Sequence, residues 1–208
     1  MRNSLLMIVT TLTLLIINLA PVMAQDNPCE ISQQVVLEIR QLLTAPDNVP
    51  FTDIFSGEVL ACAAIEIIND DPVDDEFHER VITGAVVLLG QSGDPRAIPA
   101  LIDAIDLRPA QALYNLGNFS TVDSLNALVA NIRNEDDEAR ESAAEGLRQL
   151  KVPDDPEDGW VDALNNALTE VGDWMTQEPV PDFQLYFIDA YANLQHLHDA
   201  ATQTVVMN

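Results

Sequence analysis

Along the chain the apolar residues come back every three or four positions. Ile31, Val35, Val36, Ile39, Leu42 and Leu43 fall on one stripe, and Val59, Leu60, Ala63, Ala64 and Ile67 on another, the spacing that gives an α-helix one apolar face. No segment shows the apolar–polar alternation of a half-buried strand, so the pattern predicts an all-α chain. Turn-forming clusters divide it: Ala45-Pro46-Asp47-Asn48-Val49-Pro50, Asn69-Asp70-Asp71-Pro72, Gly90-Gln91-Ser92-Gly93-Asp94-Pro95, Leu107-Arg108-Pro109, Gly117-Asn118-Phe119-Ser120, Val152 to Gly159 and Glu178-Pro179-Val180-Pro181. Between them the spacing predicts helices near 30–44, 57–69, 75–90, 95–106, 109–116, 121–133, 136–150, 158–175 and 182–200. Ser120 or Thr121, and Asp94 with Pro95 behind it, supply N-terminal caps.

The helices repeat. A shift of 27 lays Leu89-Gly90 on Leu116-Gly117, and Ala97, Ile98, Ala100, Leu101, Ile102 and Ile105 on Ser124, Leu125, Ala127, Leu128, Val129 and Ile132. A further shift of 36 lays Leu125, Leu128 and Ile132 on Val161, Leu164 and Leu168. The unit is one helix pair, used about four times with insertions. A pair this small cannot hide its own apolar stripe, so copies must stack side by side.

Two segments carry a family resemblance. Gly93-Asp94-Pro95-Arg96-Ala97-Ile98-Pro99-Ala100-Leu101-Ile102-Asp103-Ala104-Ile105 resembles the first helix of a HEAT repeat of the short, lyase-associated type. Asn134-Glu135-Asp136-Asp137-Glu138-Ala139-Arg140-Glu141-Ser142-Ala143-Ala144-Glu145-Gly146-Leu147 is similar to the linker and second helix of that repeat. Residues 55–92 and 158–204 match by helix pattern alone, and Asp106-Leu107-Arg108-Pro109 replaces the expected acidic turn and Arg. The resemblance implies a HEAT-like α-solenoid of about four helix pairs over 55–204. A cap helix and linker would occupy 25–54, the closing helix 182–200 would form the other cap, and 205–208 would be a tail. It also implies that second helices line a concave surface, making Gln111, Tyr114, Asn115, Glu141, Glu145 and Arg148 candidate partner contacts. Arg80 and Arg140 would pair with acids of neighbouring units. Some relatives of this repeat type are bilin lyases or chaperones; pigment chemistry in the cytoplasm fits poorly with the export signal described next and is not carried over.

Residues 1–24 read as a secretory signal peptide: Arg2 is the charged start, Leu5 to Ala20 is uncharged, and Val22 and Ala24 are small residues at the cleavage site. The alternative is an uncleaved anchor, against which the short apolar run counts. Cys29 and Cys62 then face an oxidising, extracytoplasmic compartment, periplasmic or secreted, where an isolated pair most simply forms one disulfide; buried free thiols or a metal pair are the other readings. Carboxylates outnumber bases 34 to 9, a formal charge of −25. That charge excludes a nucleic-acid module and disfavours contact with an anionic membrane beyond the signal peptide, while favouring a basic protein partner.

Catalytic patterns fail on inspection. His78-Glu79-Arg80-Val81-Ile82 lacks the second His of a zinc-protease helix. His196 and His198 stand about 200° apart on a helix, and neither acidic run, Asp70 to Glu76 or Asp154 to Asp158, follows an EF-hand order. Gly90-Gln91-Ser92-Gly93-Asp94 is no nucleophile elbow. Asn118-Phe119-Ser120 is a glycosylation sequon, though an inter-repeat turn accounts for it equally. Trp160 and Trp174 sit on a helical stripe and read as core or end-cap residues. No catalytic, cofactor or metal residue is assigned, and the expected function is a non-enzymatic binding scaffold or adaptor. The alternatives are a hydrolase using a carboxylate or His pair, and an envelope protein stabilised by Ca2+.

Overall fold

The computed structural model describes residues 29, 31–44, 50–70 and 78–207. The chain divides into two units, residues 1–30 and 31–208. Of the first, only Cys29 is described; it is buried. Cys29 and Cys62 are both disulfide-bonded, as the pairing reading required. The signal-peptide segment 1–24 and the acidic residues Asp71 to Glu76 lie outside the described residues.

In the second unit the described residues are helical, without strands. The helices are α1 (Gln33–Thr44), α2 (Phe51–Ile54), α3 (Gly57–Asn69), α4 (His78–Ser92), α5 (Ala97–Asp103), α6 (Pro109–Leu116), α7 (Val122–Asn131), α8 (Asp137–Gln149), α9 (Trp160–Met175) and α10 (Pro181–Met207). A 3-10 turn, Ala104–Asp106, extends α5. The starts are set by side chains that accept the free N–H groups of a first turn: Ser56 Oγ from Val59 N, Thr121 Oγ1 from Ser124 N at 3.2 Å, and Asp136 Oδ1 from Ala139 N at 3.0 Å. Asp94 acts one turn earlier than expected. Its carboxylate accepts from Arg96 N at 3.0 Å, its carbonyl accepts from Ala97 N, and Pro95-Arg96 form the turn ahead of α5. The Arg96 side chain, hydrogen-bonded to Asp94, holds that carboxyl below its usual range.

Packing follows two rows. First helices stack in the order α3, α5, α7, α9, second helices in the order α4, α6, α8, α10, and each first helix packs on its own second helix. Four pairs therefore form a HEAT-like α-solenoid. The helix α1 covers the open side of the first pair, touching α3 and α4, with Val36 and Ile39 buried there. Burying a Leu or Ile side chain stabilises by about 1.5–3 kcal/mol. Pairs that expose their stripes in isolation gain that only by stacking.

Burial supplies the repeat register. Ala85, Val86, Leu88 and Leu89 of α4 are buried, as are Ala112, Leu113, Asn115 and Leu116 of α6, 27 positions on, and Ala143, Ala144, Gly146 and Leu147 of α8, a further 31 on. Between α7 and α9 the shift is 35, not 36: it lays Leu125, Leu128, Val129 and Ile132 on Trp160, Ala163, Leu164 and Ala167, all buried. A shift of 36 puts Leu125 and Ile132 on half-buried Val161 and Leu168. Two element differences stand out. The one-turn helix α2 follows Pro50 inside a stretch read as linker, and α10 runs on to Met207 through residues assigned to the tail.

Polar ties cross the junction between the first and second pairs and the junction between the third and fourth. Arg96 Nη2 reaches Glu58 of α3 at 3.1 Å, and Arg108 Nε donates to Thr83 Oγ1 of α4 at 3.3 Å. Asn118 Nδ2 donates to the Gly90 carbonyl at 3.2 Å, so the turn reading of Asn118-Phe119-Ser120 has a structural cause. Between the third and fourth pairs, the Val122 N–H donates to the Glu157 carboxylate, and Arg133 pairs with Glu170 at 3.0 Å beneath the Trp174 ring.

The strongest tie is buried. Arg140 grips the fully buried Glu178 carboxylate with Nε at 3.1 Å and Nη2 at 3.2 Å, and Trp174 Nε1 donates to the same carboxylate at 3.0 Å. Arg140 Nη1 donates to the Asn134 carbonyl at 2.8 Å. This is the expected pairing of a second-helix arginine with the neighbouring unit, and it satisfies both charges with hydrogen bonds. Arg80 lies at the surface in the first turn of α4. Trp160 is fully buried in the core and Trp174 is half-buried at the junction.

Candidate partner-binding surface

The second helices present one continuous side to solvent, because their buried positions all point at the first helices and at one another. At the equivalent surface positions stand Gln91 at the end of α4, Asn118 just after α6 and Gln149 at the end of α8, spaced by the same shifts of 27 and 31. One turn back, Val87, Tyr114 and Glu145 are equivalent, and two turns back Gln111 matches Ser142. An open groove of about 550 Å3 runs across this row, lined by Val87 and Gln91 of α4, Ala110, Gln111, Tyr114 and Asn115 of α6, Asn118, and Ser142 and Gln149 of α8.

Three of the six candidate contacts are brought together here. Gln111 and the exposed Tyr114 offer polar atoms to the groove. Asn115 is only 5% exposed: its Nδ2 donates to the Gln111 carbonyl at 2.8 Å, and its carboxamide fills the space beside Gly90, where an added Cβ would lie 2.0 Å from Oδ1. It serves packing more than contact.

The other three lie on α8 outside the groove lining. Glu145 and Arg148 are paired, with Nη2 to Oε1 at 2.9 Å, and that hydrogen bond holds the guanidinium charged. Glu141 accepts from the Tyr186 hydroxyl, which raises that phenol above its ordinary value. Both acids are thus already engaged, and Arg148 lies within electrostatic reach of Tyr114 and of Asp189 on α10. The strip from Gln111 to Asp189 changes from uncharged amides to internally paired charges.

Residues 83–106 match the family model described as PBS lyase HEAT-like repeat. That stretch is similar to a HEAT-like repeat. In this repeat the matched segment is the last part of α4, the Gly93 to Arg96 turn, and α5 with its 3-10 extension; it contains the whole first motif quoted above, while 134–147 lies beyond it. No curated protein matches the chain.

Gln91, Asn118 and Gln149 were absent from the candidates read from the sequence. The shift of 27 already lays Gln91 on Asn118, but Gln149 follows only once burial fixes the shift of 31. Among the described residues, no helix is long and apolar enough to cross a membrane, and no group of three His, Cys, Asp or Glu side chains is placed to hold a metal ion.

Proposed function

We propose that this HEAT-like α-solenoid is an exported scaffold that binds another protein through its row of second helices and performs no catalysis. The observation that carries the reading is the groove itself. It is open, spans three successive repeats, and carries no carboxylate, imidazole, amine or thiol in its described lining, the opposite of a deep pocket with convergent titratable groups. HEAT-like repeats are generally protein-interaction modules.

The partner has a basic body. Arg40, Arg96, Arg108, Arg133, Arg140 and Arg148 are each paired with acids of this chain, and acids still outnumber bases 34 to 9. Such a field speeds encounter with a positive partner and weakens with salt. Export rests on the pattern of residues 1–24, and the disulfide-bonded cysteines suit an oxidising compartment.

The test is affinity capture from the native cell envelope with the mature chain, read with and without a high-salt wash. A stoichiometric protein released by salt supports the reading. Turnover of an ester, peptide or glycoside substrate that survives removal of contaminants, and is lost in variants at His78, His196 and His198, replaces it with the hydrolase.

A further inference from the structure

We infer that the groove holds an uncharged, extended segment of the partner by its peptide backbone, through a ladder formed by Gln91, Asn118 and Gln149. This rests on the protein-binding reading and adds the occupant. One residue in six of this chain is acidic, yet the groove lining has none, and carboxamides hold the equivalent place in three successive repeats. A carboxamide offers one acceptor and two donors, the complement of a peptide group that presents a C=O and an N–H. Adjacent packed helices lie about 8–10 Å apart, and three residues of extended chain cover about 10 Å. One carboxamide per repeat therefore meets every third residue of an extended chain.

The amides are available for this. The Gln91 and Gln149 side chains have no hydrogen-bond partner within the described residues, nor does that of Gln111. Asn118 spends its Nδ2 on the Gly90 carbonyl, which fixes the side chain and leaves Oδ1 to accept a peptide N–H. Tyr114, 47% exposed, stands in the middle of the groove and supplies a flat face to the segment. A charged side chain entering here would lose water and gain no counter-charge, so the favoured segment is built from small and neutral polar residues. Oligosaccharides share the hydroxyl and amide chemistry, but an amide ladder without a carboxylate acceptor fits a peptide backbone better.

The test uses the full mature chain and an array of capped, uncharged decapeptides, beside hexameric oligosaccharides of glucose and N-acetylglucosamine, all in 0.15 and 0.5 M NaCl. The best peptide should bind with little change between the two salts. It should lose at least tenfold when its backbone is N-methylated at every third residue, and about tenfold with Gln91→Met plus Gln149→Met, which keep the side-chain volume. Gln195→Met, exposed on α10, should leave binding unchanged, and circular dichroism should show all variants folded. Binding that collapses in salt and ignores the groove variants overturns the ladder while leaving the scaffold standing. Saccharide binding that is lost in the double variant overturns both. No binding at millimolar peptide or saccharide overturns the ladder alone, and the envelope capture then decides the scaffold.

Discussion

The Arg140–Glu178 pair decides much at the residue scale. Both side chains are buried, and the carboxylate accepts from Arg140, from Trp174 Nε1 and from the Val180 N–H at 3.0 Å. A pair so well satisfied contributes little beyond what apolar packing would, but half of it is costly, because the partner left behind keeps its charge without its shell. Glu178→Ala should therefore cost about 3–5 kcal/mol in urea unfolding, and Arg140→Met with Glu178→Leu together should recover most of it. A loss below about 1 kcal/mol for the single change would mean that Arg140 finds water instead. The arginine was readable from the sequence, since its place after an acidic turn matches the repeat. Its partner was not: Glu178 sits in the Pro-rich stretch before α10, and nothing local marks a carboxylate there as buried.

At the scale of elements the limits on spacing come from glycine. Gly117, at the end of α6, and Gly146, inside α8, face each other so closely that a Cβ on Gly117 would meet the Gly146 Cα and carbonyl oxygen at 2.6 Å. A Cβ on Gly146 would meet the Leu113 carbonyl oxygen at 2.8 Å and Leu128 Cδ2 at 2.5 Å. In an unpacked helix Gly→Ala gains about 1 kcal/mol. Here Gly146→Ala should instead destabilise by about 1–3 kcal/mol, as overpacking does, and the thermal midpoint checks the sign. Helix positions were legible because Pro, Gly and Asp cluster in the turns and the apolar period is strong between them. Where those signals fade the reading failed. One turn after Pro50 is too short to show a period, and the segment after Ala200 has neither Gly nor Pro, so α10 continues. The groove was half legible for a related reason: Gln111 and Tyr114 follow from the repeat, whereas unequal insertions hide the recurrence that joins Gln91, Asn118 and Gln149.

Across the whole molecule, charge acts against the fold. With a net −25 and most of the described bases spent on internal pairs, like charges repel across the surface and oppose compaction. Raising NaCl from 10 mM to 0.5 M shortens the screening length from about 30 Å to a few ångströms, so the melting midpoint should rise by several degrees. CaCl2 at matched ionic strength should do the same and no more. An additional shift of several degrees at millimolar Ca2+ would instead show a specific ion site and favour the cation-stabilised alternative.

The final pair closes the array in a way that bears on engineering. Asn193 of α10 donates to the Leu147 and Leu150 carbonyls at 3.0 and 3.1 Å, plugging the end of α8 as a stopper plugs a tube. The junction between the third and fourth pairs carries its own polar ties, Val122 to Glu157 and Arg133 to Glu170, and is the natural splice point. Lengthening the protein is thus a matter of inserting a further pair ahead of α9, and each inserted pair that repeats the Asn118 position would add one rung to the ladder.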